Sequence, residues 1–203
     1  MSTFATVQHL ATRYQIVDTL MDDPLVQPML ADLAREYSAR YHESLTTAEI
    51  ENELVQYPSA EFASPYGAFI LLVDQGRAIA GGALRRRVEP EIGKTALGGR
   101  LGRDSNGVPT VPTGELKRIW THWNYRRMGL AQIVVNELER RAQKLGYQRI
   151  YLTTGPKQPE AEGLYLGAGY TPLYEISSNY TEPLPFEKWL HTNTQIGQHH
   201  DHY

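Results

Sequence analysis

Apolar and polar residues alternate from Tyr14 through Ile16 and Val17 to Leu20, which predicts a strand over residues 14–20. Asp22, Asp23 and Pro24 then open a helix: proline fits a first turn, and carboxylates suit the positive end of the dipole. Val26, Leu30, Leu33 and Tyr37 continue it at helical spacing. Thr46 and Glu49 have the spacing of a capping box and predict a second, shorter helix through Tyr57, ended by Pro58. An apolar run over 68–73, a turn at Asp74, Gln75 and Gly76, and a returning arm over 77–87 read as a hairpin. Residues 88–113 are rich in glycine and proline and too long for a tight connection, a length typical of functional or mobile loops. Another strand is predicted over 114–122.

The clearest periodicity follows. Leu130, Ile133, Val134, Leu138, Ala142 and Leu145 lie along one face of a helix over 129–145, and Gly146 supplies its stop. A strand over 149–154, a short helix over 159–166 and strands over 170–176 and 186–192 complete the chain. Strand, two helices, three strands, helix, strand, helix and two strands make a mixed α/β sheet. A chain of 203 residues fits one domain better than two, with its core over about 14–192 and a polar tail over about 193–203.

Composition narrows the chemistry. There is no cysteine, hence no disulfide, thiolate metal site or cysteine nucleophile. A net charge of −3 gives no bulk attraction to nucleic acid or to an anionic membrane, and mildly suits a cationic substrate. No apolar run is long enough to span a bilayer. The first residues lack the basic start and long apolar stretch of a signal peptide, so a cytoplasmic location is expected. Arg85, Arg86 and Arg87 read as a solvated sheet edge or the rim of a homodimer, with Arg86 opposite its neighbours. Gly98, Gly99 and Gly102 lack the strand and helix of a phosphate loop. His199, His200 and His202 read as a polar tail, and no metal is expected.

The informative stretch is 115–131, in which a strand leads through a tight turn into the long helix. The first N–H groups of a helix have no intrahelical partner and carry the dipole behind them, so they stabilise an anion. Gly129 allows close approach of the backbone, Ala131 keeps the next turn thin, and Arg126 and Arg127 add positive charge. Arg126, Met128, Gly129, Leu130 and Ala131 thus read as a cradle for a pyrophosphate. Taken alone, the string is weak; its place between a strand and a strong helix gives it force.

Arg126, Gly129 and Ala131 match the Q/R-x-x-G-x-G/A signature at the central helix of the GCN5-related N-acetyltransferases (GNAT), and the chain resembles that family. Downstream, residues 158–170, with Leu164-Tyr165 before Gly169-Tyr170, look like its second signature. The resemblance implies the GNAT fold: a mixed, mostly antiparallel sheet of about seven strands flanked by helices. It implies acetyl-CoA as co-substrate and a primary amine on a small molecule or peptide as acceptor. By the same resemblance, the backbone of Ile119, Trp120 and Thr121 pairs with pantetheine, and the amides of Arg127 to Ala131, with Gln132, hold the pyrophosphate. Tyr165 matches the tyrosine that commonly protonates the departing thiolate. Gln158 stands where the family often has a cofactor-contacting Asn and is expected to keep that contact with a longer reach; Thr121 stands where Val is usual and Trp123 where Pro is frequent.

An amine nucleophile with a pKa of about 10.4 must lose a proton before attack, so a base or a water chain is needed. Glu115 is the candidate, sharing a strand face with Lys117, Ile119 and Thr121 by alternation. The competing reading is a carboxylate paired with a neighbouring Lys or Arg. Glu162, three residues before Tyr165, reads as a solvated helix charge, and the competing reading of Tyr165 is an aromatic packed between helix and sheet. The resemblance places the acceptor cleft at about 40–47, 58–66 and 177–185, where Tyr41, Glu43, Glu61, Tyr66, Tyr180 and Glu182 suit a cationic acceptor. The alternative function is a non-catalytic acyl-CoA-binding module, which needs neither Tyr165 nor Glu115.

Overall fold

The computed structural model describes residues 14–89, 105–106, 110–175 and 181–190. Among these, seven strands form one sheet in the order β1-β2-β3-β4-β5-β7-β6. Strands β1 (Gln15–Asp18), β2 (Ala68–Asp74), β3 (Arg77–Arg86) and β4 (Thr113–Thr121) are antiparallel neighbours in chain order. Strand β5 (Arg149–Thr154) runs parallel to β4, and β7 (Leu184–Trp189) inserts antiparallel between β5 and the edge strand β6 (Thr171–Pro172).

Four helices flank the sheet: α1 (Gln27–Tyr41), α2 (Thr47–Val55), α3 (Leu130–Lys144) and α4 (Pro159–Gly167). Alternation along the strands divides the apolar residues between two faces. Leu84, Leu116, Ile150, Leu152 and Phe186 meet Leu130, Val134 and Leu138 of α3 and Tyr165 of α4. On the other face Phe69, Leu71, Ala83 and Trp120 meet Met29 and Leu33 of α1, Leu54 of α2 and Phe62 of the 3-10 turn Ser59–Phe62. The predicted stripe of α3 is buried except for Leu145, which sits at the C-cap and is exposed.

Local signals explain most boundaries. The capping box of α2 forms in both directions: Thr46 Oγ1 accepts from the Glu49 N–H at 3.3 Å, and Glu49 Oε2 from the Thr46 N–H at 2.7 Å. Gln75 (φ 48°) and Gly76 (φ 79°) make the two-residue, left-handed turn that suits a twisted hairpin. The single helix predicted from Asp22 is divided. Asp23 caps a 3-10 turn, Pro24–Val26, accepting from the Leu25 N–H at 2.8 Å, and α1 starts at Gln27. Pro28 is the reason: it has no N–H to give, so the α-helix begins where that N–H would be spare. The strand predicted over 170–176 contracts to two residues because Tyr170 instead closes α4, its N–H on the Tyr165 carbonyl at 3.0 Å beside left-handed Gly169. The last strand begins at Leu184 rather than Phe186. Gly98, Gly99 and Gly102, Ile176, Thr192 and the histidines at 199, 200 and 202 lie outside the described residues.

Candidate active site

Strands β4 and β5 pair at three positions only: Thr113 with Arg149, Gly114 with Ile150 and Glu115 with Tyr151. Beyond them β4 runs on to Thr121 and β5 to Thr154, so the two strands part into a wedge. Backbone N–H and C=O groups need partners, and the wedge presents strand edges to whatever extended, amide-bearing chain enters it. It opens at the carboxyl ends of two parallel strands, the usual ligand side of such a sheet.

One irregularity shapes β4. Gly81 pairs with Trp120 and Ala83 with Lys117, so Arg118 and Ile119 together oppose Gly82. This is a β-bulge, and Arg118 adopts φ 55° in it. Strict alternation fails there, which overturns the expectation that Glu115, Lys117, Ile119 and Thr121 share a face. Lys117 stays with Glu115, and Arg118 joins them on the α1–α2 side. Its Nε donates to the Leu54 carbonyl at 3.1 Å, in the last turn of α2, and its Nη2 reaches the same oxygen. Ile119 crosses to the α3 side, into space that Gly82 leaves open: a Cβ on Gly82 would lie 2.6 Å from Ile119 Cδ1. Trp120 returns to the α1 core. The indole Nε1 of Trp120 and Thr121 Oγ1 are buried and bond no protein atom.

The chain leaves β4 through the 3-10 turn Trp123–Tyr125 and enters α3 at Gly129. Arg127 (φ 62°) and Gly129 (φ 79°) are both left-handed, and a Cβ on Gly129 would meet nothing within 4 Å. The glycine is therefore needed for its dihedral and for the open approach to its backbone. Ile133 is the first helix N–H to close on a carbonyl, that of Gly129 at 3.2 Å, leaving the amides of Leu130, Ala131 and Gln132 directed out of the helix end. Met128 and Arg127 are exposed, whereas buried Leu130 pins the helix start to the core. Two signature side chains are engaged within the protein: Gln132 Nε2 donates to Asn136 Oδ1 at 2.8 Å, and Arg126 Nη2 lies 2.6 Å from Glu36 of α1.

Tyr165 projects from α4 into the α3-side core, edge to face with Tyr170 at 5.6 Å and 5.7 Å from Phe186, ring centre to ring centre. Burial pushes its phenol well above the usual value, so the hydroxyl keeps its proton throughout the neutral range. Gln158, the N-cap residue of α4, turns its carbonyl onto the preceding loop and accepts from the Gly155 N–H at 2.9 Å. Glu162 accepts from the Tyr174 hydroxyl at 2.7 Å.

Glu115 stands at the vertex of the wedge, and it is not a surface residue. It is 1% exposed, with Oε2 at 2.6 Å from Arg85 Nη2, Oε1 at 3.0 Å from Arg87 Nη1, and Lys117 Nζ at 3.6 Å. The solvated-edge reading of the arginine run is thereby corrected. Arg86 faces out as alternation requires, but Arg85 and Arg87 are buried because each has this carboxylate beside it and an aromatic ring beneath it. Arg85 lies 3.8 Å from the ring centre of Tyr57, and Arg87 lies 4.0 Å from that of Tyr151. Register makes the arrangement, since Arg85, Glu115 and Tyr151 are successive neighbours across β3, β4 and β5. Nothing local in the sequence marks that pairing.

The C-terminal end of α1 bridges the mouth of the wedge. The Tyr41 hydroxyl accepts from the Lys157 N–H at 3.1 Å, and Arg40 donates to the Lys157 carbonyl at 2.5 Å and pairs with Glu160. Of the expected acceptor stretches, 40–47 therefore borders the site, and exposed Glu43 lies near Lys157 at 3.5 Å. The stretch 58–66 meets it through Glu61, which pairs with Arg85 beside Glu115. Ala63 and Ser64 sit by Arg141 and Lys144 at the far end of α3, roughly 22 Å from its start at 1.5 Å per residue. Tyr66 accepts through its carbonyl from the Tyr147 hydroxyl. Glu182 is exposed, and Tyr180 lies outside the described residues.

The chain belongs to the acetyltransferase (GNAT) family, whose profile matches residues 27–170. No curated protein sequence matches it. Solved structures share the fold. A GNAT-family acetyltransferase of Staphylococcus aureus is 14% identical with a TM-score of 0.59, over 88% of this chain and 99% of that one. The PaiA N-acetyltransferase of Thermoplasma acidophilum, solved with coenzyme A, is 14% identical with a TM-score of 0.54, over 87% and 99%. An aminoglycoside 6′-N-acetyltransferase of Acinetobacter haemolyticus is 15% identical with a TM-score of 0.52, over 83% and 98%. Among the described residues, no helix is long and apolar enough to cross a membrane and no acidic, His or Cys cluster is arranged to hold a metal.

Proposed function

We propose that this protein transfers an acetyl group from acetyl-CoA to a primary amine, on a small molecule or a peptide, by direct attack in a ternary complex. The observation that carries the reading is the β4–β5 wedge running from buried Glu115 to the left-handed Gly129 turn, with Tyr165 in the core beside it. The amides of Leu130, Ala131 and Gln132 suit a pyrophosphate, and the unpaired edge of β4 over Ile119, Trp120 and Thr121 suits the amides of pantetheine. The unbonded Thr121 Oγ1 at the strand end offers a further polar contact. Acetyl-CoA supplies the acetyl group already activated as a thioester.

Tyr165 faces an energetic constraint. A phenol near 10 is a weaker acid than a thiol near 8.5, and burial widens that gap. Full proton transfer to a free, solvated thiolate is uphill. The contribution assigned to Tyr165 is a hydrogen bond that strengthens as the carbon–sulfur bond breaks in a water-poor wedge, with the proton following. Glu115 is assigned the amine's proton, directly or through water. That role requires one of its oxygens to exchange an arginine for the incoming proton, because both already contact guanidiniums. A panel of primary amines assayed by CoA release, with calorimetric titration of acetyl-CoA alongside, tests the reading. Tight binding with turnover of at least one amine is expected. Binding without turnover of any amine supports the acyl-CoA-binding module instead.

A further inference from the structure

Glu36 lies outside both signatures, on α1, ninety positions before the residue it holds. Its Oε2 is 2.6 Å from Arg126 Nη2, and its Oε1 is 2.9 Å from Arg40 Nη2. Arg40 continues to the Lys157 carbonyl and to Glu160. A single carboxylate thus links the turn before α3 to the start of α4 across the mouth of the wedge.

Arg126 is the one member of this chain of charges that the signature turn also claims. A guanidinium matches the oxygens of a carboxylate and of a phosphate equally well, so both compete for the same fork of donors. The Arg126 side chain is 46% exposed and Glu36 20%, a setting in which an ion pair is weak enough to be exchanged. Glu36 keeps Arg40 when Arg126 leaves, so its charge does not become unpaired. The exchange therefore strands no ion on either side.

We propose that Glu36 is a displaceable counter-ion for the cofactor turn: it holds Arg126 until the pyrophosphate takes it, so that α1 sets acyl-CoA affinity from outside the signature. This rests on the reading that the pyrophosphate sits at the Gly129 turn. Glu36 is a positioning residue, acting through Arg126.

A double-mutant cycle on the full chain tests it, with CoA affinity measured by calorimetry for wild type, Glu36→Gln, Arg126→Gln and the double variant. Glu36→Gln should tighten CoA binding about two- to fivefold, the worth of one exposed ion pair. Arg126→Gln should weaken it, and the gain from Glu36→Gln should vanish in that background. Unchanged or weaker binding by Glu36→Gln overturns the proposal. So does an equal gain in both backgrounds, since that is a field effect and not an exchange. Wild-type protein that binds no CoA overturns the cofactor site itself, a failure the cycle reports separately.

Discussion

Replacing Glu115 by glutamine removes the charge that three cations share while keeping nearly the same volume. Removing one partner of a buried ion pair costs about 3–5 kcal/mol, because the remaining charge is left without compensation in a poor solvent. The surroundings place this case at the lower end. Arg85 keeps Glu61 at 2.9 Å and Glu89 at 2.6 Å, both partly exposed, and Arg87 keeps its stack on Tyr151. A loss of about 3 kcal/mol follows, and in a chain of this size each kcal/mol shifts the melting midpoint by about 2–4 °C. Glu115→Gln should therefore melt roughly 6–12 °C below wild type, by calorimetry or circular dichroism at pH 7. The same variant addresses the chemistry if assayed well below its own midpoint. With Glu115 as base, kcat/KM falls at neutral pH and recovers at high pH, where free amine is abundant. A melting point within about 2 °C of wild type would refute the ion-pair argument. A pH profile parallel to wild type, with no loss at neutral pH, would remove Glu115 from catalysis and leave it the anchor of the vertex.

Gly129→Glu sets a side chain and a negative charge at a left-handed position in the proposed pyrophosphate cradle, and calorimetry should find acetyl-CoA binding abolished in a folded protein. Tyr165→Phe keeps the contacts with Tyr170 and Phe186, so the fold should hold while kcat drops by about 10²–10⁴-fold and cofactor affinity stays put; unaltered kcat makes Tyr165 a packing residue only. Burial, with Glu53 nearby, raises the Tyr37 phenol to about 12. A folded value above the unfolded one near 10 gives a stability increment present in full below 10 and lost as pH rises through the folded value. Phenolate absorbance should therefore show a late-ionising group that Tyr37→Phe deletes. Gly82→Ala forces a methyl against Ile119, Val134 and Leu138, and urea unfolding should report a loss of about 1–3 kcal/mol.

Much of this was legible along the chain because the signals are local. The stripe of α3 follows from a period that one helix carries by itself, and the capping box at Thr46 and Glu49 closes over four residues. The turn at Gln75 and Gly76, and the left-handed Gly129 before an amphipathic helix, are likewise written in adjacent residues, and the two signatures led to the GNAT family. The bulge at Arg118 was not legible. Strand reading assumes a period of two, and the extra residue appears only once β4 is registered against β3. The run Arg85–Arg87 looked like a solvated edge because isolated arginines prefer water. Only the juxtaposition of Arg85 with Glu115, and of Glu115 with Tyr151, makes burial of two guanidiniums affordable. The pair Glu36–Arg126 belongs to the same class. Sequence determines what a short segment can do with its own backbone and its nearest neighbours. Which distant charges meet, and whether they meet in water or in the core, is decided by strand register and helix docking, where the low dielectric turns a few ångströms into the difference between a surface charge and a structural one.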